Sequence, residues 1–351
     1  MNRYREIEVA GTPRELGRQI GEAAGDEIRA FREAALHMVG KTVRVSRATV
    51  DYIVAQSLLR AEQYGPHMVE ELRGMAEAAR VTVEDVTLLQ VRNQLQPDAD
   101  AGCTSFSLAT HGAAHGGHIV GQNWDNDPDL QPFTVVLTRR PIGKPAMMTV
   151  TQAGLIAYIG FNSAGIGVCL NTLPAPARPL GVPHYFTVRG IYEADSLEGA
   201  VHAVQRAERA IPANIMLATP QGPADLEVTL DQVHVLTDDG SGGVTHTNHC
   251  RHPALQEING RHAELIQSHG RQQRIDQLLS STQNRPDLPA LKEALRDHDG
   301  YPRSICRHPN DDRATGFWQT VFSVIIEPQQ RQMHISRGNP CEQPYETYTL
   351  R

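Results

Sequence analysis

The sequence is short of nearly everything that would mark a membrane-spanning, secreted or nucleic-acid-binding protein. No stretch approaches the ~20 consecutive apolar residues needed to span a bilayer, and Met1 to Glu8 lacks the apolar core of a signal peptide. A cytoplasmic protein is expected. There is no basic excess: 33 Lys and Arg stand against 40 Asp and Glu, and a net charge of −7 argues against a concentrated cationic surface for phosphate backbones. The five cysteines, at 103, 169, 250, 306 and 341, are odd in number and widely spread, with no Cys-x-x-Cys pair, which suits reduced thiols better than a disulfide framework. Aromatic residues make up only 5% of the chain, so a wide aromatic-lined cleft is not evident, and no repeat or low-complexity linker divides it.

What is present is ordinary for a soluble globular protein: 351 residues, 40% hydrophobic and 21% charged, enough for one large or two modest domains. The first ninety residues read as helical. Thr12-Pro13-Arg14-Glu15 pairs a capping residue with a proline at the first helical position, and Leu16, Ile20, Ile28 and Phe31 follow on one face, predicting a helix over about 13–36. Val50, Ile53, Val54 and Leu58 suggest a second helix, Met68, Leu72, Met75 and Ala79 a third, and Thr82 caps another. After residue 103 the pattern changes to short β-like runs at 106–109, 118–124, 133–138, 147–151, 155–161 and 165–170, with a hairpin turn at His115-Gly116-Gly117-His118. Further strands are expected at 215–218, 225–230, 233–236, 318–326 and 332–336, and helices at 196–207, 253–279 and 289–298. Strand sets alternating with helix sets favour an α+β fold.

The shift from helical to β pattern falls at Ala101-Gly102-Cys103-Thr104-Ser105-Phe106. A thiol next to a Gly-Cys bond can attack the preceding carbonyl, move the acyl group from nitrogen to sulfur and leave a thioester that water hydrolyses. Glycine suits the position before the nucleophile because it tolerates unusual backbone geometry and leaves the carbonyl uncrowded. The new N-terminal α-amine, with a reference pKa of ~7.7 to 8.0, could then serve as the thiol's base. By itself the dipeptide reads more readily as a small buried hydrophobe at the start of a strand, the commonest fate of a free cysteine.

The surrounding constellation is more specific. Gly102-Cys103-Thr104, the Gly116-Gly117 pair and Gln122-Asn123-Trp124-Asp125 occur together with Gly11-Thr12-Pro13-Arg14-Glu15-Leu16-Gly17, Gly167 to Thr172, Thr245-His246-Thr247-Asn248-His249 and Ser304-Ile305-Cys306-Arg307-His308. In this order they resemble the penicillin acyltransferase branch of the N-terminal-nucleophile hydrolases, the group typified by acyl-coenzyme A:isopenicillin N acyltransferase. The resemblance implies a four-layer αββα sandwich and autocatalytic cleavage of a zymogen at Gly102-Cys103. It would divide the chain into a helical α chain, 1–102, retained after cleavage, and a β chain, 103–351, forming one composite domain.

By the same resemblance Cys103 is the nucleophile and Asp125 holds the α-ammonium that shuttles its proton. Asn248 donates its amide NH₂ to the oxyanion. Asn171, Asn123, Trp124 and Asn214 are further oxyanion or substrate-binding candidates. Turn or capping roles are the plainer readings of Asp125, which stands ahead of Pro128, and of Asn248. Two departures bear on the substrate: Ile211-Pro212-Ala213-Asn214 lacks the serine found near that segment in the isopenicillin N enzyme, and Gln122 stands where related bile-salt hydrolases carry arginine.

Of the 16 histidines, His246, His249 and His252 cluster with Cys250, but without the spacing of a metal motif, and Asn310-Asp311-Asp312 lacks that of a calcium loop. No metal and no cofactor are expected. The function expected is an amidohydrolase acting on a small N-acyl or amide substrate through an acyl-enzyme. The alternatives are an acyl-coenzyme A-dependent amine N-acyltransferase and an uncut, inactive ligand-binding homologue. The expected partners are a small-molecule substrate and the chain's own two fragments, with no nucleic acid and no membrane, and with association of copies left open.

Overall fold

A computed structural model describes residues 3–41, 43–95, 102–109, 117–238, 240, 242–280 and 286–351. The Gly116 half of the anticipated hairpin turn and Ala101 lie outside the described residues.

The chain opens with strand β1 (Glu6–Gly11), absent from the helical reading of this segment. Helices α1 (Pro13–Gly40), α2 (Arg47–Tyr64), α3 (Pro66–Ala79) and α4 (Val83–Val91) follow. The start of α1 is fixed as its residues foretold: Thr12 N–H donates to Glu15 Oε2 at 2.8 Å, returning an orphan donor at the helix end. α1 and α3 pack backbone to backbone. A Cβ on Gly17 would meet Glu71 O at 1.9 Å, and one on Gly74 would meet Arg14 O at 2.3 Å. That contact accounts physically for Gly17 in the opening motif.

Strands β2 (Cys103–Ala109), β3 (His118–Asn126), β4 (Thr134–Pro141), β5 (Met147–Gln152), β6 (Ile159–Asn162) and β7 (Gly167–Asn171) come next. Then follow helices α5 (His184–Tyr192) and α6 (Leu197–Gln205), strands β8 (Ala213–Thr219), β9 (Gly222–Val228), β10 (Val233–Thr237) and β11 (Gly243–His246), and helices α7 (Gln256–Asn259), α8 (Ser268–Ser280) and α9 (Leu288–Leu295). The chain ends on β12 (Gln319–Glu327), β13 (Gln332–Arg337) and β14 (Tyr345–Thr349). Two expectations are corrected. The run at 155–161 is strand only from Ile159, because residues 153–158 turn, with Gly154 at φ +100°. The single helix expected over 253–279 is broken between Asn259 and Ser268, where Ile266 and Gln267 both adopt positive φ, 33° and 55°.

The strands form two sheets among the described residues. One has the order β1-β4-β5-β6-β7-β8-β9-β10, with β1 parallel to β4, and the other has the order β11-β2-β3-β12-β13-β14. The sheets face each other: Cys103, Val120 and Trp124 of the second share a hydrophobic core with Val168, Leu170, Ile215 and Leu217 of the first. Helices α1 and α6 cover the outer face of the first sheet, and α8 and α9 cover the second through Phe106, Ile119, Ile275, Leu291 and Ile325. The result is an α+β fold with four layers, helix, sheet, sheet, helix. No described helix is long and apolar enough to cross a membrane.

Candidate active site

Antiparallel pairing brings the sequence motifs together at one end of the second sheet. β2 lies between β11 and β3, with Cys103 opposite Trp124 and Ser105 opposite both Gln122 and His246. Asn248, two residues past His246, therefore arrives beside Cys103. The Gly102-Cys103 peptide is held at both ends: Gly102 O accepts from Asp125 N–H at 2.9 Å, and Cys103 N–H donates to Asn248 Oδ1 at 2.9 Å. At Gly102 the constraint is space rather than a positive φ, and a larger residue would have to displace the Ile266 side chain. A Cβ would fall 1.6 Å from Ile266 Cδ1.

Asp125 is fully buried, and its position is tuned by an irregularity in the neighbouring strand. The pairing of β3 with β12 slips between Thr320 and Phe322, a bulge that turns the Thr320 hydroxyl to donate to Asp125 Oδ1 at 2.7 Å. Asp125 Oδ2 is buried with no hydrogen-bond partner among the described residues. Burial raises this carboxyl to about 6, against the pull of Arg271, Arg307 and the Thr320 hydroxyl. The capping role belongs instead to Asp127, whose Oδ1 accepts from Asp129 N–H at 3.0 Å.

Two buried arginines complete the surroundings. Arg271 of α8 donates through Nη1 to Cys103 O (2.6 Å) and Thr104 Oγ1 (2.9 Å), and through Nη2 to Asn248 Oδ1 (2.8 Å). Burial lowers its pKa to about 10, so it remains a cation at neutral pH. Arg307 donates to Gln267 Oε1 at 3.0 Å, while its Nε and Nη2 are buried without partners among the described residues. The strained pair Ile266 and Gln267 aims both: Ile266 O accepts from Arg271 Nε, and Gln267 holds Arg307. The Cys103 thiol is pushed up by burial and then by the Asp125 charge, with Arg271, the Gln122 amide and the Asp125 N–H opposing.

The other sequence candidates separate. Trp124 and Asn171 line a cleft beside Cys103, together with Arg92, Tyr158, His184 and Tyr185, so a few aromatic rings stand among its polar and aliphatic lining residues. Asn171 spends its NH₂ on Ser105 Oγ, His246 O and Thr247 O, and its Oδ1 accepts from Gln122. Asn123 lies on the opposite face of β3 and donates to Leu295 O and Ile305 O, closing the end of α9. Asn214 donates to Asp225 Oδ1 at 2.6 Å, within a buried group of Asp225, Glu227 and His246. Asn248 faces the nucleophile with its oxygen, because Cys103 N–H and Arg271 Nη2 are both donors, and its Nδ2 donates to Thr172 O at 2.9 Å. An NH₂ aimed at an oxyanion is not the arrangement observed. His246 and His249 bind Glu227 and Ser268 respectively, rather than converging with Cys250 and His252.

Sequence reasoning missed both arginines as site residues. Arg307 lay inside a quoted motif, Ser304 to His308, and could have been weighed; Arg271 carried no local signal.

Acyl-coenzyme A:6-aminopenicillanic-acid-acyltransferase 40 kDa form of Emericella nidulans is 29% identical over 352 residues, covering 98% of this chain and 95% of that protein. Among solved structures, a Caenorhabditis elegans ortholog of N-acylethanolamine-hydrolyzing acid amidase matches with a TM-score of 0.47 at 18% identity, over 70% of this chain and 100% of that one. Penicillin V acylase from Agrobacterium tumefaciens matches with a TM-score of 0.46 at 11% identity, over 66% and 82%. The family model for acyl-coenzyme A:6-aminopenicillanic acid acyl-transferase matches residues 113–342, well over half of the sequence, and the chain belongs to that family.

Proposed function

We propose that the protein is an autoprocessing cysteine N-terminal-nucleophile enzyme that forms an acyl-enzyme on Cys103 from a small amide and releases the acyl group to water. The observation that carries this reading is the clamped peptide: the Gly102 carbonyl sits on the Asp125 N–H while the Cys103 nitrogen sits on Asn248 Oδ1. In the precursor, Cys103 Sγ adds to the Gly102 carbonyl carbon, and the charge that develops on Gly102 O falls on the Asp125 N–H, a preorganised donor. Asp125, with one oxygen unpartnered among the described residues, takes the thiol proton and returns it to the nitrogen as the C–N bond breaks and the C–S bond remains. Water then adds to the thioester, giving a Gly102 carboxylate and a Cys103 bearing both thiol and α-amine. The products are the α chain, 1–102, and the β chain, 103–351, held together by β1 and the packed helices.

In the mature enzyme the α-amine inherits the contact to Asn248 Oδ1 and acts as base for the thiol, with Asp125 stabilising the ammonium. A substrate acyl carbonyl enters the cleft lined by Trp124, Tyr158 and Tyr185, and Arg92, another of its lining residues, suits an anionic group on the substrate. A second reading, transfer of an acyl group from a coenzyme A thioester to an amine, is favoured by the acyltransferase name of the Emericella relative.

The deciding experiment is intact mass under denaturing conditions for the wild type and Cys103→Ala, with N-terminal sequencing. Two fragments, the larger beginning Cys103-Thr104-Ser105, are expected in the wild type only, with at least about a thousandfold loss of amide turnover in the variant. An uncut wild-type chain would remove the α-amine base and sink the proposal; acyl-thioester consumption that depends on an added amine would select the second reading.

A further inference from the structure

Arg307 is flanked in sequence by Cys306 and His308, neither of which takes part in the chemistry above. Both turn away from Asp125 toward His298, in the loop after α9, and Cys341, in the turn between β13 and β14. The Cys306 and Cys341 sulfurs are 3.5 Å apart, and both cysteines are free thiols. His308 Nε2 lies 3.7 Å from Cys306 Sγ and 3.5 Å from Cys341 Sγ, and His298 Nε2 lies 3.2 Å from His308 Nε2. All four donor atoms fall within 4.8 Å of one another.

Hydrogen bonding accounts poorly for this convergence. Thiols are weak donors and weak acceptors, and two Nε2 atoms in contact can share only one proton. A metal accounts for it better. A tetrahedron with zinc–sulfur bonds of about 2.3 Å and zinc–nitrogen bonds of about 2.0 to 2.1 Å has edges of about 3.8 Å between sulfurs, about 3.6 Å from sulfur to nitrogen and about 3.3 Å between nitrogens. Each of the four separations above matches its edge to within about 0.3 Å.

We propose that His298, Cys306, His308 and Cys341 form a four-ligand Cys₂His₂ site for zinc(II). Two soft sulfurs and two imidazoles in tetrahedral disposition select zinc over the oxygen-seeking magnesium and calcium. Binding releases two thiol protons, so the dication is neutralised by two thiolates without further charge. The surroundings fit: Asn339 Nδ2 reaches Cys306 Sγ at 3.5 Å and Arg307 O at 2.7 Å, and the Glu342 carboxylate stands 4.0 Å from His308 Nδ1, the nitrogen that ligation through Nε2 leaves over. With four protein ligands there is no open position for substrate, so the site is structural. It ties the loop carrying Arg307 to the turn between β13 and β14, and so fixes a cation next to Asp125. The ligands are spread from 298 to 341, which is why spacing alone suggested no metal.

The test uses the full-length protein purified without chelator. Elemental analysis is expected to find about one zinc per chain in the wild type, and much less in Cys341→Ser, a near-isosteric change at an exposed residue, and in His298→Ala. Cobalt(II) added to the demetallated wild type should give thiolate charge-transfer and tetrahedral d–d bands that Cys341→Ser lacks. A wild type with no bound metal and no such cobalt spectrum overturns the proposal. So does a Cys306–Cys341 disulfide, seen as a mass lower by two hydrogens that a reductant restores. The wild-type cobalt titration stands even if a variant fails to fold.

Discussion

Glu71 and Asp125 are both completely buried carboxylates, each beside two buried arginines, and they are wired differently. Glu71, on α3, has each oxygen on a guanidinium: Oε1 accepts from Arg139 Nε at 2.7 Å and Oε2 from Arg189 Nη1 at 2.8 Å. Asp125 touches neither of its arginines. One oxygen takes a threonine hydroxyl, and the other has no hydrogen-bond partner among the described residues. The Glu71 cluster also leaves Arg139 Nη1 and Arg189 Nε without a hydrogen bond among the described residues, so the difference lies in the carboxylates: both oxygens of Glu71 are bonded and one of Asp125 is not. The open oxygen belongs to the carboxylate proposed to exchange protons, and leaving it unbonded carries a cost that the rest of the fold has to offset.

The largest expected effects separate the two carboxylates by what they damage. Glu71→Gln strands two buried cations and is expected to destabilise the fold by about 3 to 5 kcal/mol, lowering the urea midpoint, while cleavage at Gly102-Cys103 proceeds in whatever remains folded. Asp125→Asn keeps the shape and removes an ion that burial already disfavours, so stability should change by only about 1 kcal/mol. Its cleavage rate should fall about 10² to 10⁴-fold. If Asp125→Asn instead unfolds the protein and leaves cleavage of the surviving fraction untouched, the two clusters are alike and Asp125 is merely structural.

A pH series sharpens the same contrast. The groups facing Asp125 are Arg271 from α8, Arg307 from the loop before β12, the Thr320 hydroxyl and the Cys103 thiol, and only the Asp125 carboxyl is brought to about 6. Its folded pKa lies above the reference value of about 3.9, so between about pH 4 and pH 6 the folded state holds a proton that the unfolded chain has lost. Stability of the uncut chain, held unprocessed by Cys103→Ala, therefore falls as pH rises through that window, and adding Asp125→Asn should flatten the slope by about 1.4 kcal/mol per pH unit. Precursor cleavage, which on the proposed mechanism needs the ionised carboxylate, should instead rise through about pH 6 and lose that dependence in the Asp125→Asn variant. A wild-type cleavage rate that is flat from pH 5 to 7 would remove Asp125 as the base.

How much of this was legible in the chain depends on whether the cause was local. The four N-terminal helices announce themselves by period and cap, and Thr12 and Thr82 hold those caps as drawn. Strand β1 was lost in a segment dominated by helices. Helix α5 was lost because every residue after His184 is buried, leaving no polar face to set a period. Cys103, Asp125 and Asn248 meet because β2 is paired on one side with β3 and on the other with β11, which ends two residues before Asn248. Which atom Asn248 presents was not legible, since Arg271 reaches it from 23 residues away. The turn at Ile266 and Gln267 that aims both arginines sits where helical periodicity predicted unbroken helix.

The smallest expected effect comes from Asp127, which checks that the difference lies in wiring rather than in acidity near the cleavage site. Asp127 is two residues from Asp125 and almost as buried, but every contact it makes is structural: Oδ1 caps the short helical turn after β3 and Oδ2 pairs with Lys41 Nζ at 2.6 Å. Lys41 also reaches Asp129 at 2.7 Å and would keep that partner. Asp127→Ala should therefore cost about 1 kcal/mol, as a lost cap does, with the cleavage rate changed less than twofold. A drop in cleavage comparable to that of Asp125→Asn would mean that the local negative field as a whole drives the reaction. The open oxygen of Asp125 would then lose its special standing.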